Sequence, residues 1–95
     1  MDNIILWSYN KLMSKKEKLI EKFLDINISK NLKYSDFLKL AKALNWQKEE
    51  GAGSREKWYY NNKLILRMHN PHGKTSLGIG RAEDIRDAIL GGKFK

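Results

Sequence analysis

Hydrophobic residues recur at helical spacing in three segments of the chain. Residues 15–25 and 35–44 each carry an apolar stripe on one helical face, and residues 83–90 carry a shorter one. Acidic residues in the first turn of the second and third segments suit the positive end of a helix dipole. Three helices are therefore predicted, with these core-facing residues: Leu19, Ile20, Phe23 and Leu24; Phe37, Leu40, Ala41 and Leu44; and Ile85 and Ile89.

Between the second and third helices, apolar and polar residues alternate, as in strands that bury one face. Strands are predicted at 46–49, 55–60 and 64–69, and the last of them is expected to bury Leu64 and Leu66. The order helix, helix, three strands, helix predicts an α+β domain with a three-stranded antiparallel sheet. The second and third helices would cover one face of this sheet, with the N-terminal helix against its side.

The turn between the second and third strands determines which side chains share a face. A two-residue turn at 61–62 would bring Arg55 and Lys57 into the core, and burying unpartnered charges costs several kcal/mol. A three-residue turn at 61–63 avoids this cost and is therefore predicted. It places Arg55 directly opposite His69. The resulting outer face would carry Arg55, Lys57, Tyr59, Ile65, Arg67 and His69.

A helix start marks where the domain of this 95-residue chain begins. Ser14 and Glu17 match the S-x-x-E capping box, which satisfies the first amides of a helix. Residues 1–12 show neither a period nor a cap, so residues 13–95 are predicted to form a single domain. Residues 1–12 would then be an extension that is not native or is poorly ordered. An alternative is an N-terminal arm that packs on the domain through Ile4, Leu6 and Trp7.

Composition narrows the possible partners. The formal net charge is +8, which favours a polyanion: nucleic acid, an acidic protein or an anionic membrane surface. Lysines outnumber arginines 15 to 4, and lysine suits phosphate contact better than base reading. The chain has no cysteine, and no apolar run approaches the ~20 residues of a membrane span. The basic residues are spread along the chain and do not line one amphipathic face, so a membrane surface is not the predicted partner. A cytoplasmic protein that binds RNA is predicted.

The two histidines of the chain, His69 and His72, are candidates for proton transfer. Cleavage of RNA without a metal needs a base for the 2′-hydroxyl, an acid for the leaving oxygen, and cations around the phosphate. The histidines could supply the proton pair, although His72, which follows Pro71, is equally well explained as a loop hydrogen-bonding residue. Tyr59 could stack on a base. Glu56 could assist as a base, but the predicted register turns it toward the edge of the core. The predicted cations around the phosphate are Arg55, Lys57, Arg67 and Lys74, and the neighbouring loop carries Gly51, Gly53 and Ser54.

Two histidines without cysteine are too few ligands for a closed zinc site, so neither a metal nor another cofactor is predicted.

Three pieces of sequence, taken in order, resemble the HicA family of bacterial toxins from type II toxin–antitoxin pairs. They are the end of the second helix at 43–46, the Gly53-Ser54 pair, and the run His69-Asn70-Pro71-His72. The resemblance covers about residues 14–90. It implies a fold like a double-stranded-RNA-binding domain, endoribonuclease activity on mRNA, and inhibition by a cognate HicB-like antitoxin.

The match is to a second branch of that family, and it leaves one position changed. In the best-known branch, Gly-Ser is followed by the catalytic histidine, whereas this chain has Arg55 there. It resembles the branch that carries Gly-Ser-Arg and a His-x-Pro-His motif. By the predicted register, His69 would lie across from the changed position and could take over its role. The alternative is a non-catalytic RNA-binding or antitoxin-binding remnant on the same fold.

Overall fold

The structure is a computed structural model that describes residues 14–49, 53–71 and 75–91. Within these ranges, the chain forms four helices and one three-stranded sheet. The α+β prediction is confirmed. The elements, in order, are α1 (Lys15–Leu24), α2 (Ile26–Ser29), α3 (Tyr34–Ala43), β1 (Gln47–Lys48), β2 (Arg55–Tyr60), β3 (Lys63–His69) and α4 (Gly78–Ile89). The predicted extension at 1–12 lies outside the described residues.

The first helix begins and ends at residues with clear capping roles. The hydroxyl oxygen of Ser14 accepts a hydrogen bond from the Glu17 amide at 3.2 Å, which confirms the predicted cap. Asp25 is extended and ends α1, and its carboxylate accepts from the Asn27 amide at 2.9 Å to start α2. The short helix α2 was not predicted, because its apolar content is too small to give a periodic signal.

Helix α3 begins and ends one residue earlier than the predicted range 35–44. Asn45 adopts a positive φ of 60°, the left-handed conformation that stops a helix. At the other end, the carboxylate of Asp36 accepts from the Lys33 amide at 3.0 Å, so the acid three residues into the helix secures its start at Tyr34.

Helix α4 begins five residues earlier than the predicted 83–90. Main-chain hydrogen bonds fix this start: the Leu77 amide donates to Leu32 at 2.8 Å, and the Gly78 amide donates to Lys30 at 3.0 Å. The glycine-rich sequence before residue 81 is typical of a loop. Its last residues are nevertheless helical, because the amides at 77 and 78 bond to residues distant in sequence.

Among the described residues, the sheet has the order β1-β2-β3 with antiparallel pairs, so no described strand pairs with the outer edge of β3, its open edge. The predicted three-residue turn is wrong. Tyr60 pairs with Lys63, and the two residues between them, Asn61 and Asn62, have positive φ values of 50° and 65°, as a type I′ turn requires.

A β-bulge explains how a two-residue turn still keeps the cations outside. Trp58 pairs with Leu66 and the next residue, Tyr59, pairs with Leu64, so Ile65 is an extra residue in β3. On the side of the bulge away from the turn, the alternation is the one expected from the sequence, and Arg55 lies opposite His69.

The inner face of the sheet packs against α3 and α4, and α1 packs on these two helices. Trp58, Leu66 and Met68 are buried there, in one core with the fully buried residues Phe23, Phe37, Leu40 and Ile85. The rings of Trp58 and Phe37 meet edge to face at 5.1 Å. Leu64, expected in the core, is only half-buried because it lies between the bulge and the turn.

Candidate functional site

A cleft of about 770 Å³ runs from the outer face of the sheet around the open edge of β3 to the first turn of α4. Four cationic residues contribute to its walls, together with His69. Two acidic residues also line the cleft: Asp84 and the almost fully buried Glu56. The cations are Arg55, Lys57, Arg67 and Arg81. A cleft of this charge favours an anionic ligand.

The register of β2 and β3 brings the predicted residues together in two cross-strand pairs. Arg55 lies opposite His69, and Lys57 lies opposite Arg67. Arg55, Arg67 and His69 are exposed, whereas Lys57 is half-buried. Residues in direct cross-strand pairs have Cβ atoms about 5 Å apart, so a single phosphate group can be reached from both strands.

Lys57 and Tyr59 share an acidic neighbour on the β1 side of the sheet. The Nζ atom of Lys57 lies 3.8 Å from Oε2 of Glu49, and the Tyr59 hydroxyl donates to Oε1 of Glu49 at 3.5 Å. Tyr59 lines a separate shallow groove with Asn62 and the β1 residues, and it does not line the basic cleft. The structure therefore separates Tyr59 from the histidine site.

The main chain at His69 is held from two directions. The Arg81 Nε atom donates to the His69 carbonyl oxygen at 2.9 Å, and the Asn70 amide donates to the Ser54 carbonyl at 2.8 Å. Arg81 also donates from Nη1 to the Leu77 carbonyl at 3.1 Å. Sequence reasoning missed Arg81, because it followed a stretch expected to be a loop and carried no motif.

Below the cleft lies a buried carboxylate, that of Glu56, with only 3 % of the residue exposed. Three side chains donate to it: the Tyr34 hydroxyl at 2.5 Å, Trp58 Nε1 at 3.0 Å and Asn70 Nδ2 at 3.1 Å. Burial, and then the hydrogen bond to Glu56, raise the pKa of the Tyr34 phenol well above its usual range. The prediction that Glu56 turns toward the core is thus confirmed, and its oxygens are occupied by donors rather than directed at a substrate.

The loop beside the site is described only in part. Gly53 has a positive φ of 64°, which glycine adopts without strain, and it leads into Ser54 and β2. Both Gly53 and Ser54 are exposed. The remaining predicted residues, Gly51, His72 and Lys74, lie outside the described residues, so their placement at the site stays a prediction.

Two features of the described residues bear on ligand and membrane binding. Nowhere in the ranges 14–49, 53–71 and 75–91 do three or more histidine or acidic side chains cluster closely enough to hold a metal ion. In the same ranges, none of the helices has the length and apolar character needed to cross a membrane.

Comparison with protein-family models, with curated proteins and with solved structures gives no match to this chain. The chemistry of the basic cleft and its histidine is therefore the basis for inferring the function.

Proposed function

We propose that this protein binds RNA in the basic cleft and cleaves it without a metal ion, as the toxin of a type II toxin–antitoxin pair. One observation carries the proposal: His69 lies directly opposite Arg55 inside a cleft that also contains Lys57, Arg67 and Arg81. This arrangement puts a proton-transfer group among cations that can surround a phosphate.

The chemistry is transesterification by the neighbouring 2′-hydroxyl. A base removes the 2′-hydroxyl proton as the oxygen attacks phosphorus, the bond from phosphorus to the 5′-oxygen breaks, and an acid protonates that oxygen. The products are a 2′,3′-cyclic phosphate and a free 5′-hydroxyl. In this scheme His69 carries out one of the two proton transfers, and His72 is the candidate for the other.

The cations have a distinct part in this reaction. Negative charge builds on the phosphate oxygens as the fifth bond forms, and guanidinium groups stabilise that charge through paired hydrogen bonds. Arg55 and Arg67 are exposed on two neighbouring strands that both line the cleft, so both guanidinium groups can face a strand of RNA bound there.

The second candidate function is RNA or antitoxin binding without catalysis. Arg55 favours it, because arginine occupies the position where the better-known branch of the resembled family has its catalytic histidine. In either case, the proposed setting is the cytoplasm, with a HicB-like antitoxin as the protein partner.

The deciding experiment incubates the full chain with end-labelled RNA in the presence of EDTA. We expect cleavage with cyclic phosphate ends, loss of at least about 100-fold in rate for His69→Ala, and unchanged RNA binding. His72→Ala removes the other imidazole three residues away and tests whether His72 supplies the second proton transfer. If His72→Ala abolishes cleavage and His69→Ala does not, the assignment of His69 is wrong and His72 is the catalytic histidine; if the wild type leaves RNA intact, the binding function is correct.

A further inference from the structure

The guanidinium of Arg81, at the wall of the cleft, is held in place by the main chain. Its Nε–H donates to the His69 carbonyl at 2.9 Å and its Nη1 donates to the Leu77 carbonyl at 3.1 Å. The two acceptors belong to different elements, the end of β3 and the residue before α4. Held by both, the side chain has lost much of the rotamer freedom that a surface arginine retains.

These two hydrogen bonds leave most of the guanidinium free to donate elsewhere. A guanidinium carries five N–H donors in one plane, and two of them are used here. Both acceptors are neutral carbonyl oxygens, so the bonds orient the cation without neutralising it. Three donors therefore remain for an acceptor in the cleft that Arg81 lines.

The position of Arg81 places those donors beside the histidine. The Asn70 amide faces Ser54 of the β2 side, so by strand alternation the carbonyl of His69 faces the open edge of β3, where Arg81 meets it. Space for a ligand exists there, because a side chain built at Gly80 would meet no atom within 4 Å. A group bound by Arg81 would thus lie at the edge of β3, with the His69 imidazole on the adjoining outer face.

We propose that Arg81 binds a phosphate group of the nucleic acid, at the open edge of β3 and next to the phosphate that Arg55 and His69 face. The planar fork of an arginine matches two phosphate oxygens, and preorientation by the main chain lowers the entropic cost of that contact. The inference deepens the proposed function, since it rests on RNA binding in this cleft, but it does not depend on cleavage.

A purely structural role for Arg81 predicts a different result. If the residue only ties α4 to β3, its loss reduces stability and leaves the electrostatics of binding unchanged. The salt dependence of binding separates the two roles, because each phosphate contact that a protein makes releases counterions from the nucleic acid.

The test uses a single-stranded 2′-O-methyl oligonucleotide, which binds as RNA does but lacks the hydroxyl needed for cleavage. Its affinity is measured between about 50 and 200 mM salt. For Arg81→Gln, which keeps an N–H donor but removes the charge, we expect weaker binding and a salt slope shallower by about 0.7. Arg86→Gln is the matched control: it removes the same charge from the same helix, at a residue that does not line the cleft, and its slope should equal that of the wild type.

Two further measurements keep the outcomes distinct. Arg81→Lys retains the charge and is expected to keep the wild-type slope with reduced affinity, so it serves if Arg81→Gln fails to fold. Titration with inorganic phosphate, followed by NMR, should shift the Arg81 Nε–H resonance. If this shift occurs but the oligonucleotide does not bind, the phosphate site stands and the RNA function fails. If the oligonucleotide binds and the Arg81 and Arg86 variants have equal slopes, or if neither probe binds, the inference is overturned.

Discussion

Asn70 Nδ2 donates a 3.1 Å hydrogen bond to Oε2 of Glu56, and so joins the residue after His69 to a buried carboxylate of β2. The same oxygen accepts from the Tyr34 hydroxyl of α3, and the other oxygen accepts from Trp58 Nε1. One carboxylate therefore connects the first turn of α3, the middle of β2 and the end of β3. Buried polar groups of this kind are costly unless every partner is in place.

Replacement of Glu56 by glutamine tests how much this carboxylate contributes to stability. The carboxylate accepts hydrogen bonds from three donors, whereas the side-chain amide of glutamine carries N–H donors of its own. At least one buried donor would therefore lose its acceptor. We expect the free energy of unfolding to fall by about 1–3 kcal/mol in urea denaturation.

Glu49→Gln is the control for this change, because Glu49 is an exposed carboxylate on the same sheet. Its effect should stay within about 0.5 kcal/mol. Equal losses for the two variants would show that the three donors to Glu56 add nothing to stability.

Much of the sheet could be predicted from alternation alone. The pattern around Leu66 and Met68 identified the buried face, and the cost of burying Arg55 and Lys57 placed those cations outside. The bulge at Ile65 could not be predicted, because an isoleucine in a strand gives no local sign of an extra residue. A turn of three residues was therefore predicted, one more than the structure has, because without the bulge only that length keeps Arg55 and Lys57 on the outer face.

The missed parts of the site depend on contacts distant in sequence. Helix α4 starts early because amides at 77 and 78 donate to carbonyls of residues 32 and 30, and no local pattern encodes that meeting. The same early start is what brings Arg81 to the His69 carbonyl. Glu56 was correctly turned toward the core, but its donors come from three separate places in the chain.

The phenol of Tyr34 predicts a pH dependence of stability. Burial and the hydrogen bond to Glu56 raise its pKa in the folded state, whereas the unfolded chain has the ordinary value near 10. Above that pH the unfolded state loses a proton that the folded state keeps. The contribution of Tyr34 is therefore fully present below about pH 10 and is lost as the pH rises further.

The measurement compares wild type with Tyr34→Phe by denaturation across that range. All other side chains are the same in the two proteins, so the difference between the curves isolates Tyr34. We expect wild-type stability to fall more steeply than that of the variant above about pH 10. Parallel curves would contradict the assigned hydrogen bond to Glu56.

The two-residue turn predicts an asymmetric response at Asn62. This residue has a φ of 65°, a conformation that costs most residues about 1–2 kcal/mol but is open to glycine and tolerated by asparagine. Asn62→Ala should therefore destabilise the protein by about 1 kcal/mol, and Asn62→Gly should be neutral or stabilising. Thermal unfolding of both variants checks this, and a more stable alanine variant would argue against the type I′ turn and the bulge that accompanies it.

Arg55 predicts a loss of RNA affinity that is local to the cleft. It is exposed opposite His69, so its guanidinium can contact the phosphate that the histidine faces. Arg55→Ala should weaken binding of the uncleavable oligonucleotide and make the salt slope shallower by about 0.7. The matched variant is Lys63→Ala, since Lys63 is an exposed cation at the other end of the same hairpin and does not line the cleft.

Combining Arg55→Ala with Arg81→Gln extends this prediction to both walls of the cleft. If each residue contacts its own phosphate, the two slope changes add, and the double variant should lose about 1.4 in slope. If both residues contact the same phosphate, the double variant should lose no more slope than either single variant. Equal slopes for Arg55→Ala, Lys63→Ala and the wild type would place the RNA on another surface, because Arg55 would then contact no phosphate.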